Sequence, residues 1–82
     1  MQSQGVRRNH LQDFTEILDV CILPHTKFQI LEETGMSMRH LHFCLKYLLK
    51  QSLVRYHYRK GTYVTTGKGL RYLQLFAGIQ KE

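Results

Sequence analysis

From His10 onward, apolar residues recur at three- and four-residue steps: Leu11, Phe14, Ile17, Leu18 and Cys21. That spacing predicts one face of a helix of about three turns. Asp13, Glu16 and Asp19 fall mostly on its other side. Pro24 stops this helix, because proline cannot extend it and restrains Leu23 before it. Thr26 begins a short second helix whose apolar content is Phe28, Ile30 and Leu31. Gly35 ends it, in a left-handed conformation that glycine adopts cheaply. Only Met36 separates Gly35 from Ser37, a good N-cap for a third helix over residues 37–51. Leu41, Cys44, Leu45 and Leu48 form that helix's core stripe, continued by Leu49 and Ser52.

After Gln51 the period changes from helical to alternating. Val54, Tyr56 and Tyr58 fall on one side, Arg55 and His57 on the other. Arg59, Lys60 and Gly61 follow as a turn, and Thr62, Tyr63, Val64 and Thr65 are strand formers. This predicts a β-hairpin with a basic tip. Thr66 caps a last helix from about Gly67 to Gln80, with Leu70, Leu73, Phe76 and Ala77 on one face and Tyr72, Leu75 and Ile79 in a second strip. Residues 1–9 are polar and lack apolar periodicity, and read as a flexible N-terminal arm; residues 10–82 form the one domain. The fold class is α+β, mainly α: a three-helix core, a two-stranded hairpin and a C-terminal helix.

At 82 residues the chain is too short for two ordinary domains and long enough for one small core. Its longest aliphatic run, Val20 to Leu23, is far below the ~20 residues of a membrane span and the ~7–15 of a secretory signal. A soluble, cytoplasmic protein without a membrane partner is expected. Cys21 and Cys44 are too few for a disulfide scaffold, and a bridge between them requires both thiols to meet in the core. The formal net charge of +6 hides a strong asymmetry. Residues 1–33 balance at −2, whereas residues 34–81 carry nine Lys and Arg and no acidic residue. Such a one-sided field favours a polyanionic partner.

The stretch KFQILEETGMSMRHLHFCLK, residues 27–46, resembles the general helix-turn-helix pattern. Ile30, Gly35, Met36, Leu41 and Cys44 match it; Leu31 stands where a small residue is usual, and Thr34 where an apolar one is. A closer resemblance is to the small stand-alone archaeal winged helix-turn-helix transcriptional regulators. Its carriers are the run Leu45, Lys46, Tyr47, Leu48 and Leu49, then Leu53, Val54 and Tyr63, then Thr66, Gly67, Lys68, Gly69 and Leu70 with Leu73. The resemblance spans roughly residues 11–80. It implies binding of double-stranded DNA, commonly as a homodimer.

On the third helix, Arg39, Phe43, Lys46 and Lys50 lie opposite Leu41, with His42 and Tyr47 flanking them. A helix of this kind enters the major groove with its N-terminal residues at the base edges; Ser37, Met38 and Arg39 stand at that end, Ser37 as a cap that can also touch a phosphate. Arg39 suits the paired acceptors of guanine, with a phosphate contact or solvation as the competing reading. Lys46 and Lys50 reach phosphates, and His42 either target. Phe43 can meet a thymine methyl, a partner chain, or the core if the helix is rotated. On the wing, Arg59 and Lys60 reach the adjacent backbone or minor groove, with Arg55 and His57 on the strand behind them.

Tyr72, Leu75 and Ile79 exceed what one core stripe needs, and such a surplus marks contact with another chain. Leu11, Phe14 and Phe76 join this candidate homodimer interface; the competing reading is that both strips close one core. His40 and Cys44 are four apart, but Cys44 falls on the core stripe and no second pair stands at structural-zinc spacing. No metal and no cofactor are expected. Paired carboxylates, a nucleophile–base set and a phosphate-cradling glycine loop are all missing from the sequence, so no enzyme is expected. A protein-interaction module remains an alternative, as does RNA binding through Tyr56, Tyr58 and Tyr63, although Tyr56 and Tyr63 fit better as cover for the core.

Overall fold

The computed structural model describes residues 10–80, so the arm assigned to residues 1–9 lies outside them. Among the described residues the order is α1 (His10–Val20), β1 (His25–Thr26), α2 (Lys27–Thr34), α3 (Met38–Lys50), β2 (Val54–His57), β3 (Thr62–Thr65) and α4 (Gly67–Gln80). The four helices and the hairpin follow the sequence reading. The two-residue β1 does not: it pairs antiparallel with β3, His25 opposite Tyr63 and Thr26 opposite Thr62, giving a sheet in the order β1-β3-β2. Two residues are too few for alternation to be visible in sequence.

Local chemistry sets the helix ends. Thr26 Oγ1 accepts from the Gln29 amide at 3.2 Å, and Gln29 Oε1 accepts from the Thr26 amide at 2.8 Å, a reciprocal capping box. Gly35 closes α2 at φ +72°, its amide donating to the Leu31 carbonyl. Ser37 Oγ accepts from the His40 amide at 3.1 Å and opens α3. Thr34, where the helix-turn-helix pattern wants an apolar residue, is buried because its hydroxyl donates to the Ile30 carbonyl at 2.8 Å and accepts from the Met36 amide. The polar group is satisfied within the turn itself, so burial carries little penalty.

The core joins all four helices and the hairpin: Ile17, Leu18 and Cys21 of α1, Ile30 of α2, Leu41, Cys44, Leu45 and Leu48 of α3, with Leu53, Val54, Tyr63 and Leu73. Both cysteines are buried free thiols. Thr65 ties the hairpin to the end of α1, its amide donating to the Cys21 carbonyl and its hydroxyl to the Leu18 carbonyl. Those carbonyls would otherwise be orphans of the helix terminus.

The start of α4 is built onto the end of α3. Thr66 Oγ1 donates to the Ser52 carbonyl and accepts from the Gly69 amide, while Lys68 Nζ donates to the Gln51 carbonyl at 2.9 Å. A Cβ on Gly69 would stand 2.2 Å from the Leu53 carbonyl oxygen, so only glycine permits this approach. The contact also rotates α4: Gly69 and Leu73 face inward, and Leu70, predicted on the core face, is exposed. Tyr72, predicted in the surplus strip, is half-buried and packed against the core.

Candidate nucleic-acid interface

Two flanks of α3 emerge from the core. On the flank toward α2 and the wing, Arg39, His42, Lys46 and Lys50 are all exposed. Lys27 of α2, His42, Leu45, Lys46 and Leu49 of α3, and Tyr63 of β3 line a groove of about 370 Å³ between helix and wing. Burial raises the Tyr63 phenol above its ordinary range, with Tyr56 and Cys21 adding to the effect, so the groove floor stays uncharged. Ser37 is committed to capping α3, with its side chain still exposed, and Met38 is exposed beside it.

The wing carries further exposed charge. Arg55, His57, Arg59 and Lys60 are exposed, and the chain turns through residues 58–61 with the Gly61 amide donating to the His57 carbonyl. Tyr63 is buried, as expected of a residue covering the core. Tyr56 covers less than expected: it is 45% exposed, its ring tilted against Tyr63 at 4.8 Å, and Tyr58 is open to solvent.

The other flank of α3 faces α1 and is aromatic. Tyr47 stacks on Phe14 with centroids 4.6 Å apart, and Phe43 lies 5.4 Å from the ring of His10 and 6.3 Å from that of His40. Phe43 is 52% exposed and sits beside the His10 ring at the N-terminal end of α1. Asp13 corrects the sequence reading most clearly. Placed on the outer side of α1, it is 1% exposed, and its Oδ2 accepts from the His40 ring at 2.5 Å. The signal was present, because Asp13 stands four residues before Ile17 and so on the same helix face.

Of the residues assigned to a second copy, Phe14 is buried within its own chain, whereas Leu11, Tyr72 and Phe76 are half-buried. Leu75 is 65% exposed, and the Ile79 side chain lies outside the described residues. The sequence reading also missed the structural employment of Lys68, which neutralises the end of α3 instead of adding to the basic face. No helix among the described residues is long and apolar enough to cross a membrane.

No curated protein matches the chain. A family model described as winged helix-turn-helix matches residues 7–82, nearly the whole length, and agrees with the observed order of helices and hairpin. The chain belongs to the winged helix-turn-helix family.

Proposed function

We propose that this protein binds double-stranded DNA as a homodimer and regulates transcription, the role implied by its resemblance to small archaeal winged-helix regulators. One observation carries the reading. The exposed cations of α3, namely Arg39, Lys46 and Lys50, are followed along the chain by the exposed Arg55, Arg59 and Lys60 of the wing, in a stretch that holds no carboxylate. A duplex presents phosphates on both sides of a major groove, and this surface offers a charged helix with a charged wing beside it. Arg39, near the start of α3, takes the base edge; Lys46, Lys50 and the wing cations take phosphates. Leu75 and Phe76 of α4, with Leu11 of α1, meet the second copy.

The test is binding to a labelled random-sequence duplex across a salt series, with the Arg39→Ala, Lys46→Ala double mutant alongside. About five neutralised phosphates per subunit give a slope of log K against log salt near −4 to −5. The double mutant loses most of the affinity. A slope near zero, or an unaffected mutant, rejects the assignment to α3. Single-stranded RNA competing better than duplex DNA would favour stacking on Tyr56 and Tyr58 instead. Leu75→Glu tests the assembly by sedimentation and converts a dimer to a monomer.

A further inference from the structure

Asp13, His40 and Cys44 meet where α1 packs on the first half of α3. Both neighbours face the same ring nitrogen: Asp13 Oδ2 lies 2.5 Å from His40 Nε2, and Cys44 Sγ lies 3.7 Å from it. A relay that activates a thiol uses the two imidazole nitrogens separately, one toward the nucleophile and one toward the carboxylate. That relay is not the arrangement here. Instead three donor atoms, one each of oxygen, nitrogen and sulfur, converge within 4.8 Å of one another.

We propose that Asp13, His40 and Cys44 bind a single divalent transition-metal ion of the zinc type. A mixed thiolate, imidazole and carboxylate set suits zinc and its neighbours, whereas calcium and magnesium require oxygen ligands throughout. Bonds of ~2.0 Å to nitrogen and oxygen and ~2.3 Å to sulfur give tetrahedral edges of about 3.3–3.6 Å. The nitrogen–sulfur edge already matches, and the oxygen–nitrogen edge opens by less than about 1 Å as the Asp13–His40 hydrogen bond gives way. On binding, the Cys44 thiol releases its proton to solvent and a metal–sulfur bond replaces S–H. His40 coordinates through a neutral Nε2 with its proton on Nδ1, and Asp13 exchanges an N–H partner for the metal. Thiolate and carboxylate together neutralise the dication. Access and a fourth position lie on the side of His40, which is 35% exposed and has the His10 ring 6.4 Å away.

The sequence showed only the His40 and Cys44 pair at helical spacing. The third donor comes from α1, twenty-seven residues earlier than His40. The ion would fasten α1 to α3.

The test is titration of the metal-free full chain with Co²⁺, zinc's spectroscopic stand-in. One ion per chain is expected, with a thiolate-to-cobalt charge-transfer band, visible bands of tetrahedral intensity, and bleaching of both by Zn²⁺. Cys44→Ser removes the charge-transfer band, and Cys21→Ser, at the other buried thiol, retains it. Asp13→Asn and His40→Gln each weaken binding at least about tenfold, the loss that even indirect supports of a ligand carry. The proposal falls if the unmodified chain gives no charge-transfer band, an outcome that no variant's folding can obscure. It also falls if the band survives Cys44→Ser, or if folded Asp13→Asn and His40→Gln, checked by circular dichroism, bind as tightly as the parent.

Discussion

The two flanks of α3 belong to one helix and are employed in opposite ways. Toward the wing, Arg39, His42, Lys46 and Lys50 are exposed and make no ion pair among the described residues. Toward α1, each of His40, Phe43 and Tyr47 meets a partner inside the chain: Asp13, His10 and Phe14 respectively. A cation without an internal partner does nothing for the fold, since even paired surface charges contribute little. A ring stacked on another ring, or a histidine on a buried carboxylate, fixes how α1 and α3 cross. On the proposed DNA-binding role, the inner flank governs stability and the outer one binding, so substitutions on the two should separate cleanly.

The largest effect is expected on the inner side. Asp13→Ala removes a buried carboxylate and its bond to His40, and leaves a small cavity beside α3. The loss should be about 2–3 kcal/mol by denaturant unfolding, below the ~3–5 of a fully buried pair because His40 keeps access to water. The salt slope of DNA binding should stay unchanged in the folded fraction. A slope that falls with Asp13→Ala would merge the two flanks into one unit.

The complementary break is on the wing. Arg59→Ala with Lys60→Ala should weaken DNA binding about thirtyfold, roughly 2 kcal/mol, and flatten the salt slope by about 2. Sequence preference should persist, because phosphate contacts position a protein without reading bases. Unfolding midpoints should match the parent, both residues being exposed at the tip. A loss of sequence preference would assign base reading to the wing instead of α3.

The outer flank was legible in the sequence for a simple reason. A helical period and a list of charges are enough to place Arg39, Lys46 and Lys50 opposite Leu41, and the capping residues Thr26, Ser37 and Thr66 stand where their chemistry predicts. The inner flank was legible only in part: the spacing of Asp13 from Ile17 puts it on the core face, but its pairing with His40 joins two helices that only packing brings together. Polar type misled as well. An aspartate reads as outward until a donor is known to face it, and a lysine such as Lys68 reads as part of a basic face until its carbonyl partner is found. Leu70 failed for a third reason: a glycine contact, not the apolar count, chose which face of α4 turns inward.

Raising the pH probes the core behind α3 as salt probes the surface in front of it. Burial holds the Cys21 thiol at a pKa of about 12, against 9.0 for an exposed one. The neutral form is the one favoured in the folded chain. Its contribution is complete below pH 9, and stability falls as pH rises from 9 toward 12, as the unfolded chain loses the proton first. At pH 10 the loss should be about 1.4 kcal/mol relative to pH 8. Cys21→Ala should remove most of that slope, leaving a remainder from Tyr63 and Tyr72, whose phenols burial also raises. An undiminished slope in Cys21→Ala would assign the alkaline loss to other groups.

The smallest effect concerns the point where the helix hands over to the wing. Ser52 has φ +61°, the one non-glycine residue with positive φ among those described. It sits just past α3, where the Leu53 amide donates to the Leu48 carbonyl and the Ser52 amide to the Leu49 carbonyl. That pair of bonds is a Schellman ending, whose left-handed residue is usually glycine. A side chain there costs roughly 1 kcal/mol. Ser52→Gly should therefore stabilise the chain by about 0.5–1 kcal/mol, part of the gain being offset by the freer unfolded glycine. Its value lies in what happens to DNA binding. Thr66 holds the Ser52 carbonyl and Lys68 the Gln51 carbonyl, so the direction in which the wing leaves α3 is fixed from outside the turn. Affinity and salt slope should then be unchanged. Weaker binding by a more stable Ser52→Gly protein would mean that the strained serine itself sets the angle between helix and wing, and that the two flanks are coupled through one residue's backbone.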